Sequence, residues 1–166
     1  MLSDILDQGL NVVFCGTAAG NRSAEVGTYY AGRGNKFWPT LHKTRLTPEL
    51  VPFDRQRDVL QYNIGLTDLV KGQSGMDHAI DFSGELSVQL LGMIRTYRPK
   101  IVCFNGKRAA SLVLNQPKPV FGEQRERVEG STIFVAPSTS GAANSHWNEE
   151  YWHQLATLSR IVARDA

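Results

Sequence analysis

The sequence predicts an α/β fold with three layers, α/β/α, in which helices cover both faces of a central, mainly parallel sheet. Short apolar runs alternate with helical patterns along the chain. Two of these runs end in a glycine turn that leads into the next segment, an arrangement typical of parallel strands. The 166 residues, 42% of them hydrophobic, are enough for one core of ordinary size. We therefore expect a single domain over residues 1–166.

The first predicted strand, residues 12–15, ends in a loop bracketed by Gly16 and Gly20. Glycine lets the backbone turn sharply and approach a ligand closely, so this is a predicted binding loop. Its spacing matches neither the Walker A pattern nor the dinucleotide-binding fingerprint. A helical pattern at 36–42, a polar stretch at 55–61 and an apolar run at 64–69 follow.

The second half repeats this organisation. A predicted helix at 83–97 carries Leu86, Leu90 and Ile94 on one face and is closed by Pro99. A strand at 100–104 follows, and the turn 105–107 leads into a helix at 108–114. Both glycine turns are expected at the carboxyl ends of strands, where open α/β sheets bind their ligands.

A polar connection at 116–119 precedes a short strand at 132–136, which Pro137 ends. After the loop 138–144, the last helix is expected to begin near Asn144 or Ser145, with Glu149 and Glu150 in its first turn. Its predicted core-facing residues are Trp147, Tyr151, Leu155, Leu158 and Val162.

Composition limits the class of protein. Cys15 and Cys103 lie in separate apolar runs without metal-ligand spacing, so we expect core residues, no metal site and no cofactor. No apolar run approaches the roughly 20 residues that cross a bilayer, and no leader pattern is visible. We therefore expect a cytoplasmic monomer that does not contact membranes.

The net charge of +2 permits nucleic-acid binding without requiring it. For any one basic residue, a solvated surface position is the commoner situation. Several basic residues nevertheless flank the glycine loop or later turns: Arg22, Arg33, Lys36, His42, Lys43, Arg45, Lys107 and Arg108.

Five segments, in order and with compatible spacing, resemble the mismatch-specific uracil-DNA and thymine-DNA glycosylases of the uracil-DNA glycosylase superfamily. They are residues 12–16, 35–38, 65–69, 104–107 and 137–138. The resemblance covers nearly the whole chain and implies the α/β/α fold of that superfamily. It also implies a monofunctional DNA repair glycosylase, which removes a damaged base, uracil first among them, by hydrolysing its N-glycosidic bond. Its partner would be DNA that contains uracil, a mismatch or a single strand.

The chain departs from this family at one informative position. Many members carry an asparagine that positions the attacking water two residues after the first glycine, where this chain has Ala18. Either most activity is lost or another polar residue supplies the function, and we favour the second. Asp68 is the candidate, because the 64–69 run should lie beside the first strand. An ionised carboxylate can stabilise positive charge on the sugar and orient or deprotonate water.

Both catalytic candidates have structural alternatives. Asp68 follows Thr67 and precedes an apolar pair, so it is also a possible helix cap. Asn105 is the runner-up for positioning water, although Asn105-Gly106 is also an ordinary turn pair.

The base-binding residues are expected around the glycine loop. Backbone amides of residues 17–20 could stabilise the leaving base. The resemblance places Tyr30 where the family has an aromatic residue that stacks on the flipped base, while Asn21 and Ser23 are either base contacts or loop caps. The full predicted set is Gly16, Thr17, Ala18, Ala19, Gly20, Asn21, Ser23 and Tyr30.

A base in a duplex must be extruded before it reaches such a pocket. The family's second motif begins Pro-Ser and carries an inserting side chain, but here the corresponding residues are small and polar: Ser138, Thr139, Ser140, Gly141, Ala142 and Ala143. We expect a weak wedge and therefore a preference for loosely held bases. Ala136 occupies the place of a catalytic histidine in some branches, and His146 is expected to begin the last helix or contact phosphate.

Two other classes of function remain open from the sequence. Ala18 suggests a DNA-damage-binding protein with little turnover. The glycine loop would also suit a small-molecule nucleoside or nucleotide enzyme. No lysine lies in a recognisable nucleophile motif, so a mechanism that uses water is favoured over a lyase mechanism.

Overall fold

The computed structural model describes residues 2–71, 86–114 and 118–165. Five strands form one sheet: β1 (Val12–Gly16), β2 (Ile64–Asp68), β3 (Ile101–Asn105), β4 (Gly122–Val128) and β5 (Ser131–Ala136). Their order is β2-β1-β3-β5-β4, and only β4 runs antiparallel to its neighbour. The predicted α/β class with a mainly parallel sheet is confirmed.

Five α-helices accompany the sheet in the described ranges: α1 (Asn21–Val26), α2 (Phe37–Lys43), α3 (Leu86–Tyr97), α4 (Lys107–Val113) and α5 (Glu149–Arg164). Two 3₁₀ helices span Phe53–Tyr62 and Gly141–His146. Residues of α2 and α5 share one buried cluster with Phe14 and Leu66. Residues of α3 and α4 share a second cluster with Cys15 and Phe104. The sheet therefore separates two cores, as a three-layer fold requires.

Alternation along the strands decides which polar residues meet. Successive side chains of a strand point to opposite faces, so each residue shares a face with the residue two positions on. Phe14, Leu66 and Cys103 all belong to the core under α2 and α5. Two residues later, Gly16, Asp68 and Asn105 end their strands on that same face.

The sequence prediction locates four of the five strands and misses β4. The four predicted strands form with ends shifted by one residue at most. The missed strand reads Gly-Glu-Gln-Arg-Glu-Arg-Val and is mostly exposed. It lies at the sheet edge, where a charged sequence obtains its hydrogen bonds from β5 without a buried face, so its composition resembles that of a loop. Helix α1, which follows the glycine loop, is also absent from the prediction.

The last helix begins later than predicted. It starts at Glu149, not near Asn144 or Ser145, and the Asn148 side chain caps it by accepting a hydrogen bond from the Glu150 amide at 3.1 Å. Residues 144–146 belong to the preceding 3₁₀ helix, which His146 ends. Glu149 and Glu150 lie in the first turn as predicted.

The core-facing residues of this helix also differ from the predicted ones, because the helix begins later. Its buried residues are Trp152, Leu155, Ala156 and Ser159, whereas Tyr151, Leu158 and Val162 are only partly buried and Trp147 lies outside the helix. Parts of two predicted segments lie outside the described residues. They are residues 83–85 of the helix predicted at 83–97 and residues 116–117 of the polar connection.

Cys15 and Cys103 are fully buried, one in each core, which confirms the prediction that they are core residues. Burial raises the pKa of both thiols. Within the described ranges, no helix combines the length and the apolarity needed to cross a bilayer.

Candidate active site

Asp68 and Gly16 meet at the carboxyl ends of β2 and β1. They are directly paired in the parallel register, so both project to the same face of the sheet. Asp68 is 8% exposed. A Cβ atom added to Gly16 would lie 2.7 Å from Asp68 Oδ1 and 3.3 Å from the Tyr30 hydroxyl oxygen. The carboxylate therefore faces the start of the glycine loop, and only glycine at position 16 allows this approach.

The pKa of the Asp68 carboxyl group is raised above its ordinary value. Burial raises the pKa of Asp68 to about 6, Lys71 opposes this rise and Asp4 adds to it. Within the described parts of the chain, no donor forms a hydrogen bond to the carboxylate. A carboxyl group that ionises near neutral pH is suited to general-base chemistry.

Lys71 and Asp4 form a polar cluster behind Asp68. Lys71 Nζ donates to the Asp68 carbonyl oxygen at 2.7 Å, to Thr67 Oγ1 at 3.0 Å and to Asp4 Oδ1 at 2.5 Å. Thr67 Oγ1 also donates to Asp4 Oδ1 at 2.7 Å. Because Thr67 precedes Asp68 on the strand, the cluster lies toward the opposite face of β2, and its charges influence Asp68 without hydrogen bonding to its carboxylate.

The backbone after Asp68 argues against the helix-cap alternative. A capping side chain accepts hydrogen bonds from the amides that follow it. Here the Leu69 amide donates to the Gly16 carbonyl at 2.9 Å, and the Val70 amide donates to the Thr17 carbonyl at 2.8 Å. The glycine loop takes up these donors, and the Asp68 side chain is left to face Gly16.

The Tyr30 hydroxyl group also lies close to Gly16, on the side where Asp68 Oδ1 approaches. Its ring stacks on Phe37 with 4.0 Å between centroids and an interplanar angle of 27°. The hydroxyl oxygen is buried and has no hydrogen-bond partner in the described structure. Burial is the largest cause that raises the pKa of Tyr30, and the charge of Asp68 raises it further. The nearby Asn105 side chain lowers this pKa, although its geometry with the hydroxyl is not that of a hydrogen bond. The phenol is therefore neutral at physiological pH.

Tyr30 is held in a strained backbone conformation. Its φ of 55° lies in the left-handed region, which bulky residues rarely adopt and which costs about 1 to 3 kcal/mol. The neighbouring residues are anchored: the Ala31 amide donates to Ser23 Oγ at 2.9 Å, and Trp38 Nε1 donates to the Tyr29 carbonyl at 2.8 Å. The predicted site residue Ser23 is thus buried and supports the Tyr30 turn.

The remaining loop residues lie at different depths. Ala19 is buried in the core under α2 and α5, while Ala18 packs against the core on the opposite face. Asn21 is exposed at the start of α1. Gly20 has an ordinary φ of −68°, and a Cβ there would meet nothing within 4 Å. Of the two loop glycines, Gly16 is therefore the one that the geometry requires.

Asn105 ends β3 at the same edge of the sheet, but its side chain is engaged differently. Its Nδ2 donates to Thr139 Oγ1 at 3.0 Å, and its Oδ1 accepts from the Thr139 amide at 3.0 Å. This pair of bonds connects the end of β3 to the loop after β5. The next residue, Gly106, has a φ of 108° and caps α4, so the expected turn is present as well.

The loop predicted to enter DNA is mostly folded onto the protein. Thr139 is only 1% exposed, because its side chain faces Asn105. Ser138, Ser140, Gly141 and Ala143 are half-buried, and Ala142 is the exposed member of the set. Local hydrogen bonds from the Ser140 amide to Ser138 Oγ and from the Ala142 amide to Ser140 Oγ, both at 3.2 Å, stabilise the loop.

Several of the predicted basic residues have partners within the chain. Lys36 donates to Asn144 and lies over the Trp147 ring, and Lys107 lies 4.3 Å from the Phe121 ring centroid. Arg22 pairs with Glu25 and Lys43 with Glu149. Arg33 is exposed in the loop before α2.

Sequence reasoning missed three contributors: Lys71, Asp4 and Phe37. Phe37 lies in the segment that carried the resemblance, so its contact with Tyr30 was accessible in principle. Asp4 and Lys71 are separated by 67 residues and meet only because the amino-terminal segment bridges to β2 through Ile5 and Leu66. In the described residues, no group of three His, Cys, Asp or Glu side chains is placed to hold a metal ion.

Comparisons with known proteins identify the family of this chain. Residues 3–160 match the family described as the Uracil DNA glycosylase superfamily. The fold is similar to the solution NMR structure of a Methanosarcina acetivorans protein, provisionally described as a uracil DNA glycosylase, with a TM-score of 0.61 and 20% sequence identity. That match covers 98% of this chain and 96% of the other. Since the family match extends over nearly the whole sequence, the chain belongs to the uracil DNA glycosylase superfamily.

Proposed function

We propose that this protein is a monofunctional DNA glycosylase that hydrolyses the N-glycosidic bond of a flipped, damaged base, with uracil as its principal substrate. Asp68 is the general base and takes the place of the asparagine that Ala18 replaces. The observation that carries the proposal is the buried Asp68 carboxylate facing Gly16, with a pKa raised to about 6.

The reaction requires a water molecule directed at the sugar. The water oxygen forms a bond to C1′, the N-glycosidic bond breaks with its electron pair moving to the base nitrogen, and one water proton passes to Asp68. Above pH 6 the carboxylate is ionised, so it can accept that proton and stabilise positive charge on the sugar. Backbone amides of residues 17–20 are our candidates for stabilising the departing base.

Substrate preference follows from the loop after β5. Its exposed member, Ala142, has no side chain long enough to fill the gap that a flipped base leaves. We therefore propose that bases in mismatches or single strands are released faster than paired bases. Tyr30 remains the candidate for aromatic contact with the base.

The test uses 5′-labelled oligonucleotides, single-stranded and duplex, that carry one uracil, hypoxanthine, xanthine or mismatched thymine. Alkali cleavage then reports base removal. The expected result is release of uracil, faster from single strands, with no covalent product after borohydride reduction. A borohydride-trapped complex would contradict the monofunctional mechanism, and release of no base would contradict the proposed function.

Asp68→Asn tests the assigned base. It should lower the rate about 10² to 10⁴-fold while DNA affinity is retained, since general-base catalysis is worth that much. Asp54→Asn is the matched control, because Asp54 is exposed on the first 3₁₀ helix and should not affect the rate. Equal rates for Asp68→Asn and the native protein would remove Asp68 from this role.

One other function has a specific observation in its favour. Ala18 lacks the amide that the family uses, which suits a protein that binds damaged DNA with little turnover. In that case the native protein should bind the uracil oligonucleotide and leave it alkali-stable.

A further inference from the structure

The Tyr30 hydroxyl is a buried polar group beside Asp68, and the mechanism above assigns it no role. Its oxygen is solvent-inaccessible and has no hydrogen-bond partner within the described structure. Buried hydroxyl groups are nearly always paired, because an unpaired one costs about 1 to 3 kcal/mol. A hydroxyl that is kept at this cost points to a polar contact made during binding or reaction.

Two features show that this position is maintained by the fold. The backbone at Tyr30 is strained, and the turn is anchored on both sides through Ser23 and Trp38. The ring is stacked on Phe37, which fixes its plane. The phenol therefore has little freedom to swing toward another partner, and its hydroxyl remains beside Gly16 and Asp68.

The hydroxyl and the Asp68 carboxylate converge on one point. Oδ1 of Asp68 and the Tyr30 hydroxyl oxygen lie 2.7 Å and 3.3 Å from the position that a Cβ on Gly16 would occupy. The two oxygens can be no further apart than the sum of these distances, and no direct hydrogen bond joins them. Two polar groups this close without a direct hydrogen bond can be bridged by one small polar molecule.

We infer that the Tyr30 hydroxyl is a positioning residue, which together with Asp68 holds the water that attacks the sugar. This inference rests on the proposed function. Asp68 accepts one proton of the water, and the hydroxyl accepts or donates the second hydrogen bond that fixes the direction of the oxygen. The role belongs to the hydroxyl alone, so it is separable from any stacking of the ring on the base.

The groups that face Asp68 predict how its titration responds. From the opposite side of β2, Lys71 lowers the pKa of Asp68 and Asp4 raises it. The charge of Asp68 in turn raises the pKa values of Tyr30, Tyr29 and the Cys15 thiol. Removing the hydroxyl takes away a hydrogen-bonding group that favours the ionised carboxylate through the shared water. The pKa of Asp68 should then rise.

The experiment compares Tyr30→Phe with the native protein on a single-stranded oligonucleotide that carries the base removed fastest in the substrate panel. The expected result is a kcat lowered about 10- to 100-fold with KM unchanged. A loss of this size corresponds to the removal of one hydrogen bond from the transition state. The Asp68 carboxyl ¹³C resonance should titrate at a higher pH than in the native protein. This second measurement requires no activity.

Tyr29→Phe is the matched control. Tyr29 is the adjacent residue, is buried and donates its hydroxyl to the Ser3 carbonyl at 3.1 Å. It should leave kcat and the Asp68 titration unchanged. Near-ultraviolet circular dichroism of both variants verifies folding.

The failures are distinguishable. Native kcat and an unmoved Asp68 titration in Tyr30→Phe would overturn the inference and leave the proposed function intact. A raised KM with unchanged kcat would also overturn it, because the hydroxyl would then contact the substrate equally in ground and transition states. If the native protein releases no base, the proposed function fails first and this inference falls with it.

Discussion

The carboxyl edge of the sheet holds two polar regions that differ in how fully they are hydrogen-bonded. At the ends of β1 and β2, the Tyr30 hydroxyl is buried without a hydrogen-bond partner in the described structure, and the largely buried Asp68 carboxylate lies beside it at Gly16. At the ends of β3 and β5, the Asn105 side chain makes two hydrogen bonds to Thr139. The same strand-end position thus holds a fully hydrogen-bonded side chain in one region and our proposed reactive groups in the other, and the unmet hydrogen-bonding capacity distinguishes the two.

The difference also appears in the backbone. Tyr30 has a positive φ, which strains a non-glycine residue. The residue with positive φ next to Asn105 is Gly106, and glycine adopts this conformation without strain. At the carboxyl edge of the sheet, a strained non-glycine backbone and an unpaired buried hydroxyl therefore occur together in Tyr30.

Gly16→Ala should abolish most activity. The new Cβ would lie 2.7 Å from Asp68 Oδ1, so the carboxylate must move away from the pocket, and a displaced general base costs about 10² to 10⁴-fold in rate. Single-turnover base release measures this loss. Gly20→Ala is the control, because nothing lies within 4 Å of its Cβ and its φ is ordinary. Similar rates for both variants would mean that the close approach has no catalytic role.

Asp68→Asn should stabilise the fold while it removes activity. The Asp68 pKa is about 6 in the folded protein against an ordinary value of 3.8. The carboxylate is therefore penalised in the folded state above pH 6, by about 3 kcal/mol, and this penalty disappears as pH falls below about 4. Urea unfolding at pH 8 and pH 4 should show a gain of that size at pH 8 only. An equal gain at both pH values would mean that ionisation is not its cause.

Asn105→Ala should destabilise the protein by about 2 kcal/mol, since it leaves the buried Thr139 amide without an acceptor. Thr139→Val removes only one of the two bonds and should cost about half as much. Thermal unfolding measures both. The rate of base release from folded protein should fall far less than in Asp68→Asn. An equal fall in rate would instead assign Asn105 to the positioning of water.

The smallest effect is expected at Lys71. Base release by the native protein should rise with pH to a plateau, with half the plateau rate near pH 6, because Asp68 acts in its ionised form. Lys71 lowers the pKa of Asp68, so Lys71→Met should move this midpoint to higher pH. Lys118→Met, at an exposed position, should leave it in place. A midpoint that stays fixed in Lys71→Met would show that this charge does not reach the site.

The sequence alone determined the class of fold and four of its strands. Short apolar runs bounded by glycine, proline or asparagine are typical of buried strands, and their alternation with helical patterns predicts a parallel sheet. The edge strand β4 escaped prediction because its charged residues need no core. The start of α5 was misplaced because Asn148, and not Asn144 or Ser145, provides the capping side chain.

The sequence also singled out Asp68, Asn105 and Tyr30, but their states were decided by tertiary structure. The register that pairs Gly16 with Asp68 sets the distance between carboxylate and loop. Thr139, 34 residues from Asn105, satisfies that side chain, and Phe37 orients the Tyr30 ring. Burial and hydrogen-bond partners come from residues distant in sequence, so the identity of a polar residue cannot reveal whether it will be satisfied or left to react.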